Sequence, residues 1–268
     1  MHLTLNQKIR SEVDAKRFAA GPGGEIMAKH PLQYCKAMSL GEHPRKGYAT
    51  KVFNSTATFL ALPSGTYAVT CAHVVDAYRD VESQFGSVLL QIGMTEIDLS
   101  SQLVCKNDKV DLATIRLTQA QVDSLLTQGE IGSRVIQPAK WPPNPISEGD
   151  AVLFGGFPGA WRERPGFDEL VFGTFSAAGI RVSSSHKDRF TCQLDREHWV
   201  DSLSGGESGR SIHLRDLGGL SGGPAFVDRA LHFEFAGLIY EYSAEYDIVF
   251  LRPAGLIQED GSITDVLA

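Results

Sequence analysis

The sequence predicts an all-β protein built as two antiparallel lobes behind a short helical arm. Two observations carry that prediction. From residue 48 onward, short β-branched, aliphatic and aromatic runs recur, separated by Gly, Pro, Asn and Asp clusters. That punctuation marks many short strands joined by turns, as in antiparallel sandwiches and barrels. A Pro-rich stretch, WPPNPISEGD at 141–150, divides the runs into two sets and gives an internal boundary.

The arm, 1–47, spaces Leu5, Ile9 and Val13 four residues apart with charges between them, which predicts a helix over about 4–18 with one narrow apolar stripe. GPGG at 21–24 then breaks the helix. The first lobe, 48–145, offers STATFLAL (55–62), TYAVTCA (66–72), SVLLQIG (87–93) and DLATIRL (111–117) as strands. Within it HVVDAYRDV (73–81) opens a short helix, and QAQVDSLL (119–126) reads as a surface helix. The second lobe, 146–268, offers AVLFGGF (151–157), LVFGTFSAAGIRV (170–182), RFTCQL (189–194), PAFV (224–227), FEFAGLIYEY (233–242) and DIVFLRP (247–253).

At 268 residues and 43% apolar, the chain can bury one large core or two modest ones. No run of eighteen apolar residues predicts a membrane span, and the N-terminal stretch lacks the apolar centre of a secretory leader, so a soluble, cytoplasmic protein is expected. The cysteines Cys35, Cys71, Cys105 and Cys192 show no CxxC spacing and no clustered Cys/His pairs, which favours free, buried thiols over a disulfide or a zinc site. Net charge is −7, but residues 1–50 carry eight Lys/Arg against four Asp/Glu, so the arm is +4 and the remainder −11. An acidic body argues against nucleic acid as the substrate.

The tetrapeptide LSGG occurs twice, at 203–206 and at 220–223. Ser204 lies in SLSGGESGRS, polar on both sides, and reads as a loop residue. Ser221 lies in GGLSGGPAF, where glycines permit positive φ and Pro224 ties the turn to an apolar strand. Such a turn aims backbone N–H groups at one point, the construction of an oxyanion hole. His73 follows the strand-like YAVTCA, and Asp111 heads DLATIRL, with Asp108 a competing carboxylate. Taken singly, a His is more often structural and an Asp before a strand is often a turn residue. Together the three types have a mechanism: Asp orients imidazole, imidazole takes the Ser proton, and N–H groups hold the oxyanion.

AVTCAHVV, DLATIRL and GGLSGGPAF resemble, in chain order, the three signature segments of the chymotrypsin/trypsin-like serine peptidases. TATFLAL resembles the strand before the His segment, and SEGDAVLFGGFPG (147–159) is similar to the opening of the second barrel in bacterial HtrA-type members. The resemblance implies two six-stranded antiparallel β-barrels with the active site in the cleft between them. It implies His73 as general base, Asp111 as its orienting partner, Ser221 as nucleophile, and the N–H groups of Gly219 and Ser221 as the oxyanion hole. It makes Tyr240, Glu241 and Tyr242 part of an edge strand that pairs with a protein or peptide substrate, and sets Arg215 and Asp216 at the base of the specificity pocket. No metal, cofactor, nucleic acid or membrane is implied.

Three departures qualify the likeness. Leu220 stands where digestive members have Asp, so activation by a freed N-terminus is not expected. Fifteen residues follow DIVFLRP in the sequence, so a regulatory PDZ domain is not expected. The charged and Gly-rich segment 158–217 is a candidate for disorder-to-order switching, by itself or through an activating partner protein. A catalytically silent binding module of the same fold, and an esterase using the same triad, are the competing functions.

Overall fold

The computed structural model describes residues 12–42, 52–86, 88–166, 169–195 and 217–265. Within the arm, α1 (Glu12–Ala19) ends before GPGG, and α2 (Pro22–Leu32) begins inside it. The motif therefore separates two helices instead of ending helical structure. Pro22 sits in the first turn of α2, where the N–H it lacks would have no intrahelical partner and its fixed φ suits the helix.

The first sheet is antiparallel, with strand order β5-β4-β1-β2-β3-β7-β6. Its strands are β1 (Cys35–Glu42), β2 (Val52–Leu62), β3 (Gly65–Thr70), β4 (Val88–Ile92), β5 (Thr95–Glu96), β6 (Leu103–Asn107) and β7 (Leu112–Arg116). Strand β1 pairs with both β2 and β4, so the first lobe's sheet takes in residues upstream of 48. Lys36 hides this strand from a reading of apolar runs. It is 5% exposed, and its Nζ donates to the carbonyls of Gln128 (3.1 Å) and Ile131 (2.6 Å). Helix α3 (Ala72–Phe85) is longer than HVVDAYRDV suggests, a short α4 (Leu99–Gln102) precedes β6, and α5 (Gln119–Leu126) has the predicted bounds. A reciprocal capping box between Thr118 and Gln121 starts α5.

The second lobe is a closed barrel of β8 (Ala151–Gly156), β11 (Phe175–Ser185), β12 (Phe190–Gln193), β13 (Pro224–Asp228), β14 (Phe233–Ser243) and β15 (Ile248–Pro253). The expected strand at 170–182 is split. Val171–Phe172 (β10) pairs with Arg162–Glu163 (β9) outside the barrel, and β11 starts at Phe175.

The strands look apolar throughout because many are buried on both faces. On β2, Ala57 and Phe59 enter the core of the first lobe, while Leu60 and Leu62 point to a second core between the lobes. On β8, Val152 and Phe154 fill the barrel, and Leu153 joins the inter-lobe core with Phe226, Leu238 and Tyr67. All four cysteines are free, three of them buried. No helix among the described residues is long and apolar enough to cross a membrane.

Candidate active site

Strand β3 ends at Thr70, Cys71 is extended at the N-cap position, and α3 begins with Ala72, so His73 sits in the first turn of a helix. Cys71 makes no side-chain cap. The acceptor comes from across the sheet. Asp111 Oδ1 accepts the His73 backbone N–H at 2.9 Å, and Oδ2 lies 2.8 Å from His73 Nδ1. One carboxylate thus caps the helix and fixes the imidazole, and the positive end of the helix favours its charge. Asp111 has φ 50, a left-handed conformation that Asp tolerates better than most residues, just before β7. The competing Asp108 is instead taken by Lys106, which also holds Asp76 at 2.8 Å. The hydrogen bond to Asp111 raises the His73 pKa above its ordinary 6.5, against burial, with further help from the Asp111 and Asp76 charges.

Ser221 sits on a loop that packs against the first lobe. Thr56 Oγ1 donates to the Gly219 carbonyl (2.9 Å), Thr58 Oγ1 to the Gly222 carbonyl (2.6 Å), and the Thr56 N–H to the Ser221 carbonyl (2.9 Å). Thr56 and Thr58 are fully buried, on one face of β2. The glycines are required by geometry. Gly219 has φ +101 and Gly222 φ +88, and a Cβ at Gly222 would lie 2.1 Å from the Thr56 carbonyl oxygen. The N–H groups of Leu220, Gly222 and Gly223 are used within the fold, by Leu217, Ile239 and Leu220 respectively. Those of Gly219 and Ser221 donate to no acceptor among the described residues.

The Ser221 hydroxyl donates to the Tyr240 carbonyl at a long 3.4 Å, and no bond to His73 is made among the described residues. Cys71 bridges the two halves of the site. Its thiol donates to the Ile239 carbonyl at 3.4 Å and is fully buried. Burial first, and then the Asp111 charge, push that thiol well above its ordinary range, while the Gly222 backbone, Arg252 and the Ser221 hydroxyl pull it partly back.

Strand β14 carries the predicted substrate-facing residues. Its pairing with β13 stops at Pro224↔Leu238, whereas pairing with β15 runs on to Ser243↔Ile248, with a bulge at Tyr240. Glu241 is exposed. The Tyr240 ring packs against the first-lobe core, with the Arg252 guanidinium 4.0 Å from its centroid. Tyr242 packs on the barrel core and donates its hydroxyl to Asp247 Oδ1 at 2.8 Å. Arg215, Asp216 and Ser204 lie outside the described residues. Sequence reasoning missed Cys71 and the two loop-anchoring threonines. The alternation of Thr56 and Thr58 inside an apolar strand was the available signal for the threonines.

The architecture is thus mostly β, one closed six-stranded barrel beside a curled seven-stranded sheet, with these groups between them. No protein-family model matches the chain, and no curated protein does. Among solved structures it is similar to the Rv3671c protease from M. tuberculosis in its active form, at 15% identity over 88% of this chain and 83% of that one, with a TM-score of 0.46. A likeness that loose leaves the function to the geometry of the site.

Proposed function

We propose that this protein is a serine endopeptidase that cleaves peptide bonds of protein substrates through an acyl-enzyme. One observation carries the reading: the glycine loop bearing Ser221 is hydrogen-bonded onto the strand next to the one that delivers His73, whose ring is fixed by Asp111. Asp111 holds Nδ1 protonated, so Nε2 is the basic nitrogen that takes the Ser221 proton as the hydroxyl attacks a carbonyl carbon. The N–H groups of Gly219 and Ser221 stabilise the oxyanion, and His73 then protonates the leaving amine. The stretch of β14 beyond the end of β13 gives an extended substrate a strand to pair with. For the proton transfer the Ser221 hydroxyl turns from the Tyr240 carbonyl, its 3.4 Å partner, to His73 Nε2.

A fluorophosphonate probe tests the reading. Labelling is expected on Ser221, lost in Ser221→Ala and kept in Ser204→Ala. Labelling of the ester-reactive site without new N-termini in protein substrates would favour the esterase. No labelling under any condition, even with protein partners supplied, would leave the binding module.

A further inference from the structure

A buried thiol that the peptidase mechanism does not use lies against the residues that it does use. The ligand atoms of Cys71, His73 and Asp111 all lie within 4.8 Å of one another. We infer that these three residues form an inhibitory site for a thiophilic divalent cation of the zinc type. The inhibitory effect rests on the peptidase reading above; the binding itself does not.

The donor set supports this chemistry. A thiolate, an imidazole nitrogen and a carboxylate oxygen are the three ligand types that zinc takes, with a fourth position left for water. Calcium and magnesium prefer all-oxygen shells and are disfavoured by the sulfur. Asp111 is suited to the part because Oδ1 is already committed to the His73 backbone N–H, which leaves Oδ2 to meet the ion. Entry is from the imidazole side, where the His73 side chain is 53% exposed and that of Asp111 22%. The Cys71 thiol must turn from the Ile239 carbonyl, its 3.4 Å partner, to reach the ion.

The proton balance explains why binding would inhibit. The ion displaces the Cys71 thiol proton to solvent and forms a metal–sulfur bond. It also takes the Nδ1 lone pair, so the proton that Nδ1 held against Asp111 moves to Nε2. With Nε2 protonated, the imidazole cannot accept the Ser221 proton. The hydrogen bond that orients the ring is broken at the same moment. A single ion therefore removes both the base and its orienting contact while leaving Ser221 in place.

The test uses the full chain and two readouts. Titration with Co²⁺ should give a near-ultraviolet thiolate-to-cobalt charge-transfer band that Zn²⁺ bleaches. The band should persist in Cys105→Ala, which removes the most accessible other thiol, and vanish in Cys71→Ala and in Cys71→Ser. Zn²⁺ should block fluorophosphonate labelling of Ser221, with labelling restored by a chelator. In Cys71→Ala the zinc concentration for half-inhibition should rise by at least about a hundredfold, since loss of even an outer-shell partner costs 10–100-fold in metal affinity. The serine variant preserves size and a donor to the Ile239 carbonyl, so it supplies the same comparison if the alanine variant misfolds. A cobalt band undiminished in either Cys71 variant, or zinc sensitivity unchanged in both, overturns the site. If the peptidase reading alone fails, labelling is absent throughout while the cobalt band still tracks Cys71.

Discussion

The two lobes furnish the candidate site in opposite ways. The first lobe presents His73 at a helix start, held by charge: one carboxylate satisfies both its N–H and its ring nitrogen. The second lobe presents Ser221 on a loop held by backbone shape, with glycines at positive φ and carbonyls tied down by Thr56 and Thr58. A charged device can be switched by pH or by an ion, whereas a packed backbone loop can only be kept or broken. The mutational consequences should divide along the same line.

The largest effect should come from breaking the charged device. Asp111→Asn preserves shape but no longer fixes the tautomer, and labelling or turnover should fall by about 10⁴-fold with the fold intact. Circular dichroism beside a rate measurement checks both halves of that statement. A loss under tenfold would mean that Asp111 does not orient the base. On the backbone side, Gly222→Ala forces a Cβ onto the Thr56 carbonyl in a left-handed conformation. Stability should fall by about 3 kcal/mol in urea titrations, and labelling should be lost with it. Thr58→Val removes one buried donor from the Gly222 carbonyl, and a smaller loss of about 1–2 kcal/mol is expected.

Two histidines sharpen the contrast through pH. His73 has a raised pKa, so the rate should climb with pH through a midpoint above 6.5, as the base becomes neutral. Its pairing with Asp111 contributes stability that is complete below 6.5 and is lost as pH rises through the raised value. His30 on α2 behaves in the reverse sense. Its ring packs against Tyr34, Phe226 and Phe233, Nε2 is buried with no partner among the described residues, and burial, with Arg134 adding to it, lowers its pKa to about 4. The unfolded chain takes up a proton that the folded one refuses, so stability should decline as pH falls from 6.5 towards 4. His30→Leu should flatten that part of a melting-temperature profile, the mildest of these effects. An unchanged profile would remove His30 from the account.

Much of this architecture could be read from the residues themselves. Strand runs such as DLATIRL and PAFV, and the helix at 119–126, carry their period and their caps locally. Strand β1 could not be read so, because Lys36 looks like a surface residue until the carbonyls of Gln128 and Ile131 are brought to it. The second helix of the arm was hidden because a Gly-Pro pair reads equally as a stop and as a start. At the site, GGLSGGPAF declared its glycine loop plainly. The presence of Cys71 beside His73, Asp111 and Ser221 could not be read, since a buried thiol in YAVTCA looks like any small core residue.

The sequence by itself determined which chemical types are present and where the backbone must turn. His, Asp and Ser stand at strand ends, glycines mark the positive-φ positions, and apolar alternation sets the all-β class. Only the tertiary structure showed what each carboxylate meets, committing Asp108 to Lys106 and Asp111 to His73. Only the packing of the lobes brought the Ser221 loop onto β2 and the Cys71 thiol to the Ile239 carbonyl. The reason is physical. Period, propensity and capping act over a few residues, whereas the meeting of charges and hydrogen-bond partners far apart in the chain is fixed by how whole sheets pack.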